Sequence, residues 1–162
     1  MVEKFSIISD SEENTRLIAQ KIAPLFRSGD ILILDGDLGA GKTCFVKGFT
    51  DGLRSKDEVN SPTFSIANFY RTRQQFDILH IDLYRIETVD EFNDLGLFDY
   101  FEQSVTLIEW GKKYIAFFDA CLIISFQIED ENKRVLIFEY QGNNSVSRMN
   151  EIKMQLKGFE SC

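Results

Sequence analysis

The stretch that decides the fold of this chain is Ile31-Leu-Ile-Leu-Asp-Gly-Asp-Leu-Gly-Ala-Gly-Lys-Thr-Cys-Phe45. Its first four residues form a continuous apolar run, which is typical of a strand buried in a parallel sheet. A glycine-rich turn follows, and Phe45, Val46 and Phe49 then recur at helical spacing. The stretch therefore predicts a strand, a tight turn and a helix that runs to about Leu53.

The turn carries a phosphate-binding pattern, because Gly36, Gly41, Lys42 and Thr43 match G-x-x-x-x-G-K-[ST]. Glycines permit positive φ and close backbone approach, and the amides of such a loop, with the helix start behind them, attract phosphates. A lysine here places charge on the β- and γ-phosphates, and the following hydroxyl can ligate Mg²⁺. The alternative is a purely structural turn, which the flanking strand and helix make less favourable. We therefore predict that a nucleotide is bound by the loop residues Gly36, Asp37, Leu38, Gly39, Ala40, Gly41, Lys42, Thr43 and Cys44.

Length and composition indicate a globular protein. The chain has 162 residues, of which 44% are hydrophobic and 27% charged, so we expect one domain over residues 1–162. No apolar run reaches membrane-spanning length, and the start, Met1 to Ile8, lacks a signal-peptide layout. These observations predict a cytoplasmic protein without a membrane role.

The remaining composition argues against zinc and against direct binding of nucleic acid. Three cysteines without ligand spacing and a single histidine predict reduced thiols rather than a zinc site. The net charge of −8 would repel a phosphate backbone. The acidity suits either a basic partner protein or solubility alone.

Periodicity outlines the other elements. The first helix should begin at Asp10 or Ser11 and break near Pro24. An irregular polar loop should precede a hairpin, and Gly96 should divide a later helix. The predicted strands are Phe5–Ile8, Phe64–Arg71, Phe76–Arg85, Val105–Trp110, Cys121–Ile128 and Arg134–Tyr140, and the predicted helical segments after the loop are 88–102 and 145–157.

Two of these strands end in an acid. Asp82 and Glu109 each close an apolar strand, as in the Walker B arrangement, and the carboxyl ends of parallel strands meet at one sheet edge. One carboxylate could ligate Mg²⁺ while the other orients an attacking water, and spacing does not say which does which. For the neighbouring His80 we favour a hydrogen-bonded, half-buried side chain over a metal ligand.

Thr63 is a further candidate, because it follows Pro62 at the end of a polar loop. Switch loops of GTPases use such a threonine to sense the γ-phosphate and Mg²⁺. The alternative, left open by spacing, is a turn residue that enters a strand.

Taken together, these motifs resemble the TsaE family of bacterial P-loop ATPases. The resemblance rests on Gly36–Thr43, on Ser61-Pro62-Thr63-Phe64, on His80-Ile-Asp-Leu-Tyr-Arg85 and on Glu109-Trp110, and it covers nearly the whole chain. It implies an α/β fold: a single P-loop NTPase-like domain with a mixed, mostly parallel sheet flanked by helices.

The resemblance also implies a function. TsaE proteins bind ATP with Mg²⁺, hydrolyse it slowly, and act with the TsaD–TsaB pair in threonylcarbamoyladenosine formation at position 37 of tRNA, which they reach only indirectly. By this resemblance the catalytic residues are Lys42, Asp82, Glu109 and Thr63, and the metal ligands are Thr43, Glu109 and Asp82. Trp110 would pack near the site, and residues near Ser11, Glu12 and Asn132 would border the adenine.

One departure from the family is Cys44, where a second threonine usually follows the Lys-Thr pair. A thiol is a weaker donor than a hydroxyl, so we expect a modest change in nucleotide affinity. Two other functions share the loop: a small-molecule kinase, although no arginine cluster follows the loop to form a lid, and a nucleotide-gated binding module without significant turnover.

Overall fold

The computed structural model describes residues 3–162, so Met1 and Val2 of the amino-terminal stretch considered above lie outside the described part. Seven strands occur in that part. They are β1 Lys4–Ser9, β2 Ile31–Asp35, β3 Ala67–Tyr70, β4 Asp77–Asp82, β5 Ser104–Glu109, β6 Cys121–Ile128 and β7 Arg134–Gln141.

Five α-helices and two 3₁₀ segments connect these strands within the same residues. The helices are α1 Glu12–Ile22, α2 Lys42–Gly52, α3 Val89–Asp94, α4 Phe98–Phe101 and α5 Ser145–Gln155, and the 3₁₀ segments are Ala23–Leu25 and Lys112–Phe117. Ser11 caps α1, since its side chain accepts a hydrogen bond from the Asn14 amide at 3.0 Å.

The strands form one mixed sheet in the order β1-β7-β6-β2-β5-β4-β3. The central strands β6, β2, β5 and β4 are parallel to one another, while β7 and β3 run in the opposite direction. Five of the seven strands therefore share one direction, which confirms the predicted α/β fold with a mixed, mostly parallel sheet flanked by helices.

Helices cover both faces of the sheet. Buried residues of α1, α2 and α5 pack on one face, and those of α3, α4 and the segment Lys112–Phe117 pack on the other. The central strand β2 is covered on both sides, and Leu32, Ile33 and Leu34 are fully buried, as its unbroken apolar run predicts.

The two helices beside the phosphate-binding turn lie unusually close together. A Cβ built on Gly48 of α2 would meet the Arg16 carbonyl oxygen of α1 at 2.1 Å, and one on Gly52 would meet the Gln20 carbonyl oxygen at 2.7 Å. Glycine at these positions therefore lets α1 lie directly on the carboxyl-terminal half of α2.

Several local predictions need correction. The strand expected from Phe64 begins only at Ala67, because Ile66 takes φ 70° and its amide closes a turn on the Pro62 carbonyl oxygen at 2.6 Å. Phe64 is consequently 83% exposed. The buried faces of α1 and α5 are narrower than helical spacing alone would give, since the apolar Leu17 and Val146 are largely exposed.

The lengths of the helices bear on whether they could span a membrane. None within residues 3–162 has the length and apolar character needed to cross a bilayer.

Candidate functional site

The predicted site residues meet at the carboxyl edge of the parallel strands. Asp82 ends β4, Glu109 ends β5, and the two are register partners on adjacent strands. Leu34 near the end of β2 pairs with the same Glu109, and the glycine turn that follows β2 leads directly into α2. The topology thus brings the turn and both acids to one place.

Backbone geometry explains two of the turn's glycines. Gly39 has φ 81° and Gly41 has φ 105°, conformations that other residues rarely adopt. Gly36 does not have a positive φ, but it shows the expected close approach, because a Cβ there would lie 3.0 Å from the Phe126 carbonyl oxygen of β6.

A cavity of about 340 Å³ opens over this turn. It is bounded by the turn and the start of α2, by the ends of β4 and β5, by α1 and by the loop before β3. Its lining residues are Glu12, Arg16, Leu38, Gly39, Gly41, Lys42, Thr43, Cys44, Lys47, Ser61, Thr63, Asp82, Glu109 and Trp110.

Lys42 carries the positive charge at the centre of this cavity and is almost fully buried. Its ammonium donates a hydrogen bond to the Gly36 carbonyl oxygen and lies 3.7 Å from the centre of the Trp110 ring. Burial lowers the pKa of Lys42, while the charges of Glu109 and Asp82 oppose that shift. The side chain is therefore folded back on its own loop, between two acids.

Trp110 reaches this position because the chain turns sharply after β5. Its φ is 61°, in the left-handed region that is uncommon for a bulky residue, and its amide donates to the Leu34 carbonyl oxygen at 3.3 Å. The ring packs on Tyr84, with 5.1 Å between ring centres. A strained backbone conformation of this kind persists only where the surrounding structure stabilises it, and such residues cluster at functional sites.

Asp82 is tied to the loop before β3. Its carboxylate accepts from the Thr63 hydroxyl at 3.0 Å and from the Tyr84 amide at 2.9 Å. The Ser61 hydroxyl lies 2.8 Å from that of Thr63. The predicted switch threonine is thus in direct contact with one of the two predicted acids.

Glu109 has a different partner. His80 Nε2 lies 2.8 Å from Glu109 Oε2, and His80 Nδ1 lies 3.0 Å from the Tyr70 hydroxyl. His80 is fully buried, rather than half-buried as expected, and it is hydrogen-bonded as expected.

A second, smaller cavity of about 110 Å³ adjoins the first across Glu12, Gly39, Gly41 and Cys44. Three predicted residues, Ser11, Ala40 and Asn132, line it, together with Thr15, Glu131 and Arg134. The start of α1 and the hairpin between β6 and β7 therefore lie on the same side of the loop.

Arg134 fastens that hairpin to the loop. Its guanidinium donates to the carbonyl oxygens of Ala40 and Gly39 at 3.2 Å each, and to that of Asp130 at 2.7 Å. Because N–H and C=O point in opposite directions across a trans peptide, holding the Ala40 carbonyl also directs the Gly41 amide away from Arg134.

Of the predicted site residues, Gly36 and Asp37 line neither cavity. Gly36 acts through its carbonyl oxygen, which holds Lys42, and Asp37 accepts the Ala40 amide at 3.0 Å within the turn. Sequence reasoning assigned no role to Arg16, Lys47 and Arg134, nor to Ser61, although Ser61 stands in one of the quoted motifs. Lys47 lies one helical turn after Thr43 and could have been found from that spacing, whereas no local pattern marks Arg16 or Arg134.

Comparisons with known proteins show which family this chain resembles. A family model described as "Threonylcarbamoyl adenosine biosynthesis protein TsaE" matches residues 9–136. A tRNA threonylcarbamoyladenosine biosynthesis protein TsaE of Aquifex aeolicus is 37% identical over 131 residues, which cover 79% of this chain and 90% of that protein.

Two further matches, one to a sequence and one to a solved structure, come from Bacillus subtilis. The TsaE protein of that organism is 50% identical over 100 residues, so the match spans 61% of each chain. A crystal structure of Bacillus subtilis YdiB superposes with a TM-score of 0.76 at 31% identity, over 95% of this chain and 97% of that chain.

Proposed function

This chain belongs to the TsaE family of tRNA threonylcarbamoyladenosine biosynthesis proteins, and on that premise we propose that it binds ATP with Mg²⁺ and hydrolyses the ATP in support of that modification. The observation that carries the proposal is the convergence, on one cavity, of Lys42, Thr43, Asp82 and Glu109. A phosphate-binding loop beside two carboxylates at strand ends is the arrangement that nucleotide hydrolysis requires.

The donor atoms in the cavity suit Mg²⁺. Thr43 supplies a hydroxyl and Asp82 and Glu109 supply carboxylates, all hard oxygen ligands. Within residues 3–162 no group of three histidine, cysteine or acidic side chains could hold a metal alone. In proteins Mg²⁺ is usually coordinated by one or two carboxylates together with phosphate oxygens of the substrate, which agrees with this set of donors. When bound, such an ion would offset negative charge on the phosphates.

The chain's own residues divide the remaining work. The loop amides and Lys42 hold the phosphates, which requires the ammonium to exchange the Gly36 carbonyl oxygen for a phosphate oxygen. A carboxylate orients the water whose oxygen attacks the γ-phosphorus as the bond to the ADP oxygen breaks. Asp82 is held by Thr63 and Glu109 by His80, so either acid could take that part.

The partners we propose are those that the family resemblance implies, the TsaD–TsaB pair, with tRNA reached through them. The formal charge of −8 agrees with such an indirect route, because an acidic surface repels a tRNA backbone. In this role ATP hydrolysis would reset or license the pair rather than transfer the threonylcarbamoyl group.

The test is phosphate release from ATP, with and without Mg²⁺, by the purified chain alone and then titrated with TsaD–TsaB. We expect a slow Mg²⁺-dependent rate that rises and saturates with the pair. Release only in the presence of a small acceptor would identify a kinase. Binding without release under any condition would identify a nucleotide-gated binding module.

Two variants assign the residues. Lys42→Ala should weaken ATP binding about 10- to 100-fold, the value of a charge-assisted contact, whereas Lys157→Ala, an exposed lysine after α5, should leave it unchanged. Glu109→Gln should lower turnover about 100-fold or more. Unchanged affinity in the first variant, or unchanged turnover in the second, would contradict the corresponding assignment.

A further inference from the structure

A buried chain of hydrogen bonds runs from Glu109 to the loop before β3. Glu109 contacts His80 at 2.8 Å, His80 contacts the Tyr70 hydroxyl at 3.0 Å, and that hydroxyl donates to the Asn60 carbonyl oxygen at 2.9 Å. The first three side chains are at most 3% exposed. This series of hydrogen bonds therefore connects the end of β5, through β4 and β3, with Asn60, the residue that precedes Ser61.

The chemistry of the three groups determines which of them donates in each hydrogen bond. A carboxylate can only accept, so the Nε2–H tautomer of His80 donates to Glu109 and leaves Nδ1 as an acceptor for Tyr70. Burial raises the pKa of the Tyr70 hydroxyl, which keeps its proton available for donation. That single proton faces two acceptors at nearly equal distance, His80 Nδ1 and the Asn60 carbonyl oxygen.

A second set of contacts connects the same loop with the other acid. The Thr63 hydroxyl donates to the Asp82 carboxylate at 3.0 Å, and the Asp82 amide donates to the Ile66 carbonyl oxygen at 2.8 Å. Residues 60–66 are therefore attached to Asp82 directly and to Glu109 through Tyr70 and His80.

We propose that His80 and Tyr70 are positioning residues that couple the orientation of Glu109 to the position of the loop formed by residues 60–66. While the loop is in place, the Asn60 carbonyl oxygen competes for the Tyr70 proton. When the loop moves away, that proton serves His80 alone and strengthens the hold of Nε2–H on Glu109. The functional consequence, tuning of the Mg²⁺ site by loop position, rests on the proposed function.

The burial of these groups favours coupling over simple packing. Buried polar networks are costly unless every member is satisfied, and an apolar residue at position 80 would pack in the sheet without that cost. Tyr70 also donates outward, to a loop carbonyl that the Asn68 side-chain amide contacts at 3.0 Å, rather than to a strand. Partners behind metal-ligating side chains typically change metal affinity 10- to 100-fold.

The first experiment compares Tyr70→Phe with Tyr114→Phe. Both variants delete a buried hydroxyl that contacts a backbone carbonyl, but Tyr114 packs in the cluster on the opposite face of the sheet. Binding of a non-hydrolysable ATP analogue is measured by calorimetry in EDTA and in increasing Mg²⁺. For Tyr70→Phe we expect an unchanged affinity for the analogue in EDTA. The Mg²⁺ concentration that gives half of the Mg²⁺-dependent change in affinity should differ about tenfold from that of the parent. Tyr114→Phe should change neither quantity.

The second experiment needs no nucleotide. Hydrogen exchange of the amides in residues 61–66 is measured for the parent, for Glu109→Gln, for Tyr70→Phe and for the double variant. If the chain of bonds couples the two sites, Glu109→Gln changes loop exchange in the parent background and not in the Tyr70→Phe background.

These outcomes separate the two proposals. Failure of the parent to bind the analogue would overturn the proposed function, while the exchange experiment would still decide the coupling. Additive exchange effects, an unchanged Mg²⁺ requirement in Tyr70→Phe, or an equal change in Tyr114→Phe would each overturn the coupling.

Discussion

At the scale of single residues, Lys42 shows how the site stabilises a buried positive charge. Its ammonium lies against the Gly36 carbonyl oxygen and the Trp110 ring, and both nearby acids oppose the effect of burial on its pKa. This ammonium can move to a phosphate because it would exchange the Gly36 carbonyl oxygen, a neutral acceptor, for a stronger, charged one.

The three cysteines should differ sharply in reactivity. Burial raises the pKa of Cys121 to about 11, and burial with Glu12 nearby raises the pKa of Cys44, while Cys162 is exposed. We expect iodoacetamide at pH 8 to modify Cys162 first, Cys44 more slowly and Cys121 only on unfolding, because the reactive thiolate is scarcest where the pKa is highest. Peptide mass spectrometry over time measures the order.

The same experiment tests the location of the nucleotide. Cys44 lines both cavities, so bound ATP should slow its modification at least several-fold and leave Cys162, the internal control, unchanged. Equal protection of both cysteines, or of neither, would place the nucleotide elsewhere.

At the scale of elements, the approach of α1 to α2 depends on glycine. A Cβ at Gly48 would lie 2.1 Å from the Arg16 carbonyl oxygen, so Gly48→Ala must separate the helices. Alanine favours a helix by about 1 kcal/mol over glycine, but overpacking typically costs about 1–3 kcal/mol, and this contact is with rigid backbone. We expect net destabilisation of about 2 kcal/mol, measured by urea unfolding.

The matched control is Lys47→Ala, on the exposed side of the same helix, which should change the free energy of unfolding by less than about 0.5 kcal/mol. A Gly48→Ala protein as stable as the parent would mean that α1 is free to shift away from α2.

A second prediction at this scale concerns the hairpin between β6 and β7. Arg134→Gln removes the guanidinium that holds the Gly39 and Ala40 carbonyl oxygens. A less fixed loop must be ordered by its ligand, so we expect about tenfold weaker binding of ADP by calorimetry, the equivalent of one such contact.

Arg148→Gln is the control for that variant, since Arg148 also donates to a backbone carbonyl, that of Leu25, but lies away from both cavities. Equal loss of affinity in both variants would indicate a general loss of stability rather than a role of Arg134 in the loop.

At the scale of the whole molecule, all seven strands belong to one continuous sheet, and we propose that the chain acts as one domain. Its acidity should decide how it meets nucleic acid. With a formal charge of −8, the chain alone should not retain tRNA on a filter at about 0.1 M salt, where exposed charges act over about 10 Å.

The comparison sample is the TsaD–TsaB pair with the same tRNA, with and without this chain. Retention of tRNA by the chain alone, lost as salt increases, would reveal a basic surface that the overall charge conceals and would contradict the indirect route to tRNA.

The sequence by itself determined the elements and the chemistry of the loop. Strand β2, the glycine turn and α2 follow from contiguous residues, because an apolar run, glycines at constrained positions and helical spacing are local properties. The acids at the ends of β4 and β5 could also be placed at one edge, since parallel strands share their carboxyl side. The limits of β3 could not, because the turn at Ile66 depends on how the loop meets Asp82.

Only the tertiary structure decided which side chains support the loop and the acids. Arg134 contacts carbonyls about ninety residues earlier in the chain, and the His80–Glu109 contact joins two strands separated by a helical crossover. Neither contact produces a repeating pattern in the sequence, because each involves a single side chain whose partner depends on strand order and register. The physical reason is that hydrogen bonding is short-ranged in space and indifferent to separation along the chain.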